Sequence, residues 1–134
     1  MGRSAAPQRV MEAGKLQVKV YGTREELGAA AAYAVAGCIG EVVAGKGSAS
    51  VVFASAPSQN EFLATLSLLD DIPWDKVVAF HMDEYVGLPA DAPQAFGQFL
   101  RERLYNRVRP GAVHFLDGEA PDPEAECRRY AALL

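Results

Sequence analysis

Basic charge is scarce in this sequence. Lys and Arg number 13 against 17 Asp and Glu, a formal net charge of -4 and a pI near 5.1, where a nucleic-acid binder carries a basic stripe. The densest basic stretch, Arg101, Arg103, Arg107 and Arg109, is interrupted by Glu102 and has the spacing of one solvated helix face, so no nucleic-acid partner is expected. Cysteine is nearly absent. Cys38 and Cys127 lie far apart within helical patterns and lack metal-ligand spacing, which reads as two buried free thiols in a reducing cytoplasm. No apolar run stands out at the ~18–20 residues of a bilayer span, so no membrane segment is expected. Residues 1–14 are polar, with Ala, Gly and Pro and no hydrophobic block; they read as a flexible lead-in rather than a signal peptide. No low-complexity segment or internal repeat is visible.

What remains is globular. The 134 residues are 50% hydrophobic and 22% charged, enough for the core of one domain or part of one. After the lead-in, strand and helix patterns alternate. Leu16–Val20 (LQVKV) alternates apolar and polar residues, and Tyr21-Gly22 turns the chain. Thr23 with Glu26 forms a capping-box pattern, and the helix behind it carries Leu27, Ala31, Ala34, Cys38, Ile39 and Val42 on one stripe. Residues 50–55 (SVVFAS) and 76–81 (KVVAFH) are continuous apolar runs of the kind buried on both faces of a parallel sheet. A helix opening at Pro57-Ser58 buries Phe62, Leu63, Leu66 and Leu69; another buries Phe96, Phe99, Leu100, Leu104 and Val108. Residues 113–116 (VHFL) read as a short strand, and Asp122 or Pro123 starts a last helix. The order β-α-β-α-β-α-β-α predicts an α/β fold with a parallel sheet covered on both faces. The last helix has no closing strand after it, which suggests a domain cut short at its C-terminal side.

Sites in such sheets lie beyond the carboxyl ends of the strands, and two loops meet that condition. The first, Ala54-Ser55-Ala56-Pro57-Ser58-Gln59-Asn60-Glu61, leads a buried strand into a helix past two hydroxyls, the composition of an anion site. The competing reading makes Ser58 an N-cap with Glu61 as its capping-box partner. The second, His81-Met82-Asp83-Glu84-Tyr85-Val86-Gly87-Leu88, places two adjacent carboxylates directly after a buried strand. One would face the cleft as a general base, its pKa raised by partial burial; the competing reading is a turn or N-cap aspartate. His81 and His114 read as structural.

The run Val78-Ala79-Phe80-His81-Met82-Asp83-Glu84-Tyr85-Val86-Gly87-Leu88 resembles the signature of the glucosamine-6-phosphate deaminase/isomerase family. The resemblance continues through 93–108, through Leu116-Asp117-Gly118-Glu119-Ala120-Pro121-Asp122 and through Glu124-Ala125-Glu126-Cys127-Arg128-Arg129-Tyr130. It covers about the last two-thirds of the chain and, more loosely, its first strand and helix. It implies a three-layer α/β/α fold with a Rossmann-like parallel sheet, residues 15–134 being the N-terminal part of a single sugar-phosphate isomerase-like domain. It also implies aldose–ketose isomerisation of a phosphorylated amino sugar with loss of ammonia. Asp83 would move the proton between C1 and C2, while Ser55, Ala56, Ser58, Gln59 and Glu84 would bind substrate. No cofactor or metal is implied; a homo-oligomer and a cytoplasmic setting are.

Two departures from the family pattern bear on this reading. Where relatives have a Thr-Gly-Gly-Thr type loop this chain has Ser55-Ala56-Pro57-Ser58, and proline contributes no N–H to an anion cradle; Gln59 is the replacement donor. The family's second catalytic segment, a Gly-rich turn with Asp, Gly and His followed by Asn-Glu-Pro, lies downstream of Leu134 in the pattern. The chain alone is therefore expected to be inactive. The alternatives are a 6-phosphogluconolactonase-type hydrolase on the same scaffold and a non-catalytic sugar-phosphate-binding module.

Overall fold

The computed structural model describes residues 5–134. Its centre is a parallel three-stranded sheet in the order β3 (Ala49–Phe53), β4 (Val77–His81), β5 (Ala112–Val113). Ala49 lies opposite Val77 and Phe53 opposite His81; on the other side Val78 and Ala79 pair with Ala112 and Val113. The alternation of side chains along β4 divides the packing. Val77 and Ala79 join Ala49 and Phe53 in a core closed by Ala32, Ile39, Leu63, Leu66, Leu100 and Leu104 from the helices. Phe80 has the opposite parity and packs edge-on against Tyr130 of α5 (Pro123–Ala131), ring centroids 5.6 Å apart. Helices therefore flank the sheet, as the alternating pattern predicts. β3 is less enclosed than its apolar run suggests, with Val52 49% exposed.

The first strand is placed differently from the expectation. Leu16–Val20 (β2) is not in the parallel sheet; it pairs antiparallel with Arg9–Ala13 (β1), Met11 opposite Val18 and Ala13 opposite Leu16. The lead-in thus contains a strand at Arg9–Ala13, while its residues 1–4 lie outside the described part. Gly14, at φ +62°, makes the tight connection possible, because that backbone region is strained for residues with a Cβ. An alternating strand has one polar face and suits an exposed ribbon; here Leu16 is 63% exposed.

Helix α1 (Arg24–Lys46) starts as its sequence predicts. Thr23 Oγ1 accepts the Glu26 N–H at 3.1 Å, and the Glu26 carboxylate reaches back to the Gly22 N–H at 2.9 Å. The buried face runs through Gly28, Ala32 and Ile39, rotated from the expected stripe, so Leu27 and Cys38 are exposed. In an Ala/Gly-rich helix apolar residues occur all round, and the partner chooses the face. That partner is α2 (Asn60–Leu66): a Cβ on Gly28 would come within 2.6 Å of the Glu61 Cβ and 2.7 Å of the Phe62 backbone N. Cys127 is exposed as well, so neither thiol is buried as expected. By length and composition α1 is also apolar enough to cross a membrane, against the expectation that no segment is. Gly28 is the small residue of this helix that the close approach of α2 requires.

The helix expected across 96–108 is interrupted. α3 (Phe96–Leu100) passes through a π-helical turn, Arg101–Tyr105, before α4 (Asn106–Val108). The wide turn points both Leu104 and Tyr105 inward, and the Tyr105 hydroxyl donates to the Phe80 carbonyl at 3.1 Å. Burial pushes that phenol's pKa up. α5 begins as expected: the Asp122 carboxylate accepts the N–H groups of Glu124 and Ala125, with Pro123 in the first turn.

Candidate active site

β3 and β4 end side by side, and the Met82 N–H donates to the Phe53 carbonyl at 3.1 Å. The two loops singled out from sequence therefore leave the sheet as neighbours. In the first, Pro57–Gln59 forms a 3-10 turn leading into α2. The Ser58 N-cap reading does not hold, since no side chain caps this turn and Ser58 Oγ receives the Gln59 side-chain amide at 3.3 Å. Glu61 is bonded elsewhere. Its carboxylate takes Arg24 Nε at 3.0 Å and Nη2 at 2.9 Å, and this guanidinium holds the Glu61 carboxyl below its ordinary range, chiefly through those hydrogen bonds. Arg24 also donates to the Pro57 carbonyl at 3.2 Å, and Arg103 Nε donates to Asn60 Oδ1 at 2.9 Å. Two guanidinium groups thus fasten the loop, neither foreseen from sequence because both come from distant segments. Ser55 Oγ is buried and, among the described residues, has no hydrogen-bond partner, a state that costs free energy unless something else meets the hydroxyl.

In the second loop the two carboxylates separate in role. Asp83 is exposed rather than partly buried, and among the described residues its side chain takes part in no hydrogen bond or ion pair, which argues against a turn or capping aspartate. Glu84 is half-buried. Its Oε1 accepts from the N–H groups of Tyr85 (3.0 Å) and Phe96 (2.9 Å), and its Oε2 from Gly97 (3.0 Å). A substrate hydroxyl at Glu84 would compete with three backbone donors. Beyond it, the Gly87 N–H donates to the Gly118 carbonyl at 2.6 Å. Gly118 lies so close that an added Cβ would meet the Tyr85 carbonyl oxygen at 2.4 Å.

His81, 1% exposed, is structural in a definite sense. Its Nε2 accepts the Leu116 N–H at 2.9 Å, which requires the neutral ring with its proton on Nδ1, and Nδ1 has no hydrogen bond of good geometry. Burial is the main cause lowering its pKa, opposed by the charges of Glu84 and Asp83. The Tyr130 hydroxyl accepts the His81 N–H at 2.9 Å and lies 3.1 and 3.0 Å from the carbonyls of His81 and His114. α5 is thereby latched to the end of β4. Between latch and loop lies a cavity of about 230 Å³ lined by Met82, Asp83, Val86, Leu116, Pro123 and Cys127 among others. Ser58 and Gln59 line a separate cavity of about 320 Å³ beside Arg24 and α1. Among the described residues no cluster of three or more His, Cys, Asp or Glu is arranged to hold a metal ion.

The family model for glucosamine-6-phosphate isomerases and 6-phosphogluconolactonases matches residues 22–134. The chain belongs to this family. Among curated relatives, the glucosamine-6-phosphate deaminase of Aliivibrio fischeri strain MJ11 is 43% identical over 70 residues, which is 51% of this chain and 26% of that protein. The deaminase of Proteus mirabilis is 44% identical over 65 residues, 47% of this chain and 24% of that protein. Among solved structures, a monomeric glucosamine-6-phosphate deaminase superposes with a TM-score of 0.73 at 28% identity, covering 83% of this chain and 46% of its own. A 6-phosphogluconolactonase from Shewanella baltica OS155 gives 0.76 at 26%, covering 85% and 48%. The matches thus span about a quarter of the curated relatives' length and a little under half of the solved structures. The β1–β2 ribbon precedes the part that the isomerase/lactonase family model matches.

Proposed function

We propose that this chain carries the proton-transfer carboxylate of an aminosugar-phosphate isomerase/deaminase, and that this carboxylate is Asp83. The observation that carries the reading is an exposed carboxylate, in no hydrogen bond or ion pair among the described residues, at the carboxyl end of the central strand on a loop fixed at both ends. Asp83 takes the proton from C2 of the ring-opened amino aldose and delivers it to C1 across a planar cis-enolamine intermediate, while the aldehyde oxygen O1 gains the proton that the C2 ammonium gives up. The imine left at C2 is hydrolysed to the ketose and ammonia. A single carboxylate on one face of the intermediate reaches both carbons. The phosphate lies against Ser55, Ala56 and Ser58, with Gln59 supplying the donor that Pro57 lacks; the unpartnered Ser55 Oγ supports this placement. A dianionic sugar phosphate does not cross a bilayer unaided, which favours a cytoplasmic setting.

Deamination is preferred to lactone hydrolysis because the curated relatives at 43% and 44% identity over about half of this chain are named deaminases, whereas the family model takes in both activities and the solved deaminase and lactonase match alike, at 28% and 26%. The test is made on the whole protein. Wild type is expected to release ammonia from glucosamine 6-phosphate and to exchange solvent deuterium into C1 or C2. Asp83→Asn keeps the shape but cannot accept the proton, so kcat should fall by about 10²–10⁴-fold with little change in KM. Hydrolysis of 6-phosphogluconolactone without ammonia release would transfer the protein to the lactonase reading. Exchange at the wild-type rate in Asp83→Asn would remove Asp83 from the mechanism.

A further inference from the structure

Glu84 adjoins the carboxylate assigned to proton transfer, yet its own carboxylate is turned away from that task. Oε1 bridges the N–H groups of Tyr85 and Phe96, and Oε2 holds the Gly97 N–H. Phe96 and Gly97 are the first residues of α3, whose opening N–H groups have no intrahelical partners. The N-cap residue Ala95 supplies no side-chain bond, so Glu84 meets this need from twelve residues away. The packing around it is equally close. The Tyr85 ring lies 4.6 Å from the Phe96 ring, and a Cβ on Gly97 would sit 3.4 Å from Glu84 Oε2 and 2.9 Å from the Phe115 ring. The loop is thus stapled to α3 one residue beyond Asp83.

We propose that Glu84 is a positioning residue: its carboxylate, bonded to the start of α3, fixes the backbone from which Asp83 projects. The assignment rests on the proton-transfer reading of Asp83 and removes Glu84 from the substrate contacts. An ionised carboxylate suits the place because it only accepts, and three donors converge on it. The amide of Gln would present N–H to one of them. A proton-transfer base must keep its oxygen within reach of two carbons, and a displacement of about 1 Å at such a group can cost 100-fold in rate.

The test compares Glu84→Gln and Glu84→Ala with wild type in two measurements. In the whole protein, with rates normalised to the folded fraction, kcat is expected to fall about 100-fold in Glu84→Ala and less in Glu84→Gln. KM should stay within about threefold. In the same protein, ¹⁵N relaxation should show greater backbone motion at residues 82–86 in Glu84→Gln, while β4 keeps its order. Amide exchange at Phe96 and Gly97 should accelerate. A raised KM with kcat preserved would overturn the proposal in favour of a substrate contact. Unchanged kcat at full folding, or unchanged order at Asp83 in Glu84→Gln, would overturn it as well. If Glu84→Ala does not fold, Glu84→Gln carries both measurements. If wild type shows no isomerisation, the proton-transfer reading fails, and the relaxation data alone decide whether Glu84 orders the loop.

Discussion

Replacing Tyr130 by phenylalanine removes one oxygen atom and leaves the ring that packs edge-on against Phe80, at 5.6 Å, and against His81, at 6.1 Å. The hydroxyl accepts the N–H of His81, a residue 1% exposed, and its single proton serves the carbonyl of His81 or of His114. β5 makes its last bond to β4 from the His114 N–H to the Ala79 carbonyl at 2.9 Å, and the hydroxyl occupies the next position along that edge. Its loss leaves a buried N–H unpaired, which costs about 1–3 kcal/mol, and forfeits a donated bond of about 1 kcal/mol. The expected destabilisation is therefore about 2–4 kcal/mol. Urea unfolding followed by tryptophan fluorescence, Trp74 being the one tryptophan, should show a lower midpoint at unchanged slope. A loss below about 0.5 kcal/mol would refute the reasoning, since it would mean that water replaces the hydroxyl and the strand end is open.

Two further predictions concern pH. Burial lowers the His81 pKa from 6.5, so the unfolded chain binds the proton more readily. Stability should be full above about pH 6.5 and fall as the pH drops below it. His81→Gln, whose side-chain oxygen can accept the Leu116 N–H without titrating, should flatten that dependence in urea midpoints measured between about pH 5 and 7.5; an unchanged profile would assign it to other groups. Glu126, hydrogen-bonded by Arg129 and by the Asp117 N–H, has its pKa held down to about 2 from 4.5. Its contribution should be present above about pH 4.5 and lost as the pH falls towards 2. Glu126→Gln should remove that part of the acid transition; far-UV circular dichroism against pH reads it.

The parts of the fold set by near neighbours in sequence were legible. Thr23 and Asp122 cap the helices they precede, and the apolar runs around Val51 and Val78 form adjacent parallel strands. The place of Asp83 and Glu84 directly after a buried strand was legible for the same reason; the choice of Asp83 between them came from the family resemblance. What escaped depends on distant partners. Ser58 does not cap with Glu61 because Arg24, 37 residues earlier, bonds Glu61. The face of α1 is chosen by α2, which put Cys38 in solvent. The pairing of Leu16–Val20 followed from Arg9–Ala13, a strand hidden in a stretch too polar to stand out; the signal available was Gly14-Lys15 between two five-residue segments. The clamp on Glu84 joins residues twelve and thirteen apart, and no local pattern announces it.

The π-helical turn at Arg101–Tyr105 bears on how this stretch can change length. Removing one residue between Leu100 and Leu104 would renumber the inward set Leu100, Leu104, Tyr105 and Val108 to offsets 0, 3, 4 and 7, the periodicity of an unbroken α-helix. The segment therefore carries one residue more than its apolar rhythm requires, and the wide turn stores it. Elsewhere in a helix a single deletion rotates everything downstream by about 100°; here it would be absorbed, with Tyr105 still directed at the Phe80 carbonyl. Lineages could gain or lose a residue at this point while the strand ends that bear Ser55 and Asp83 stay in place.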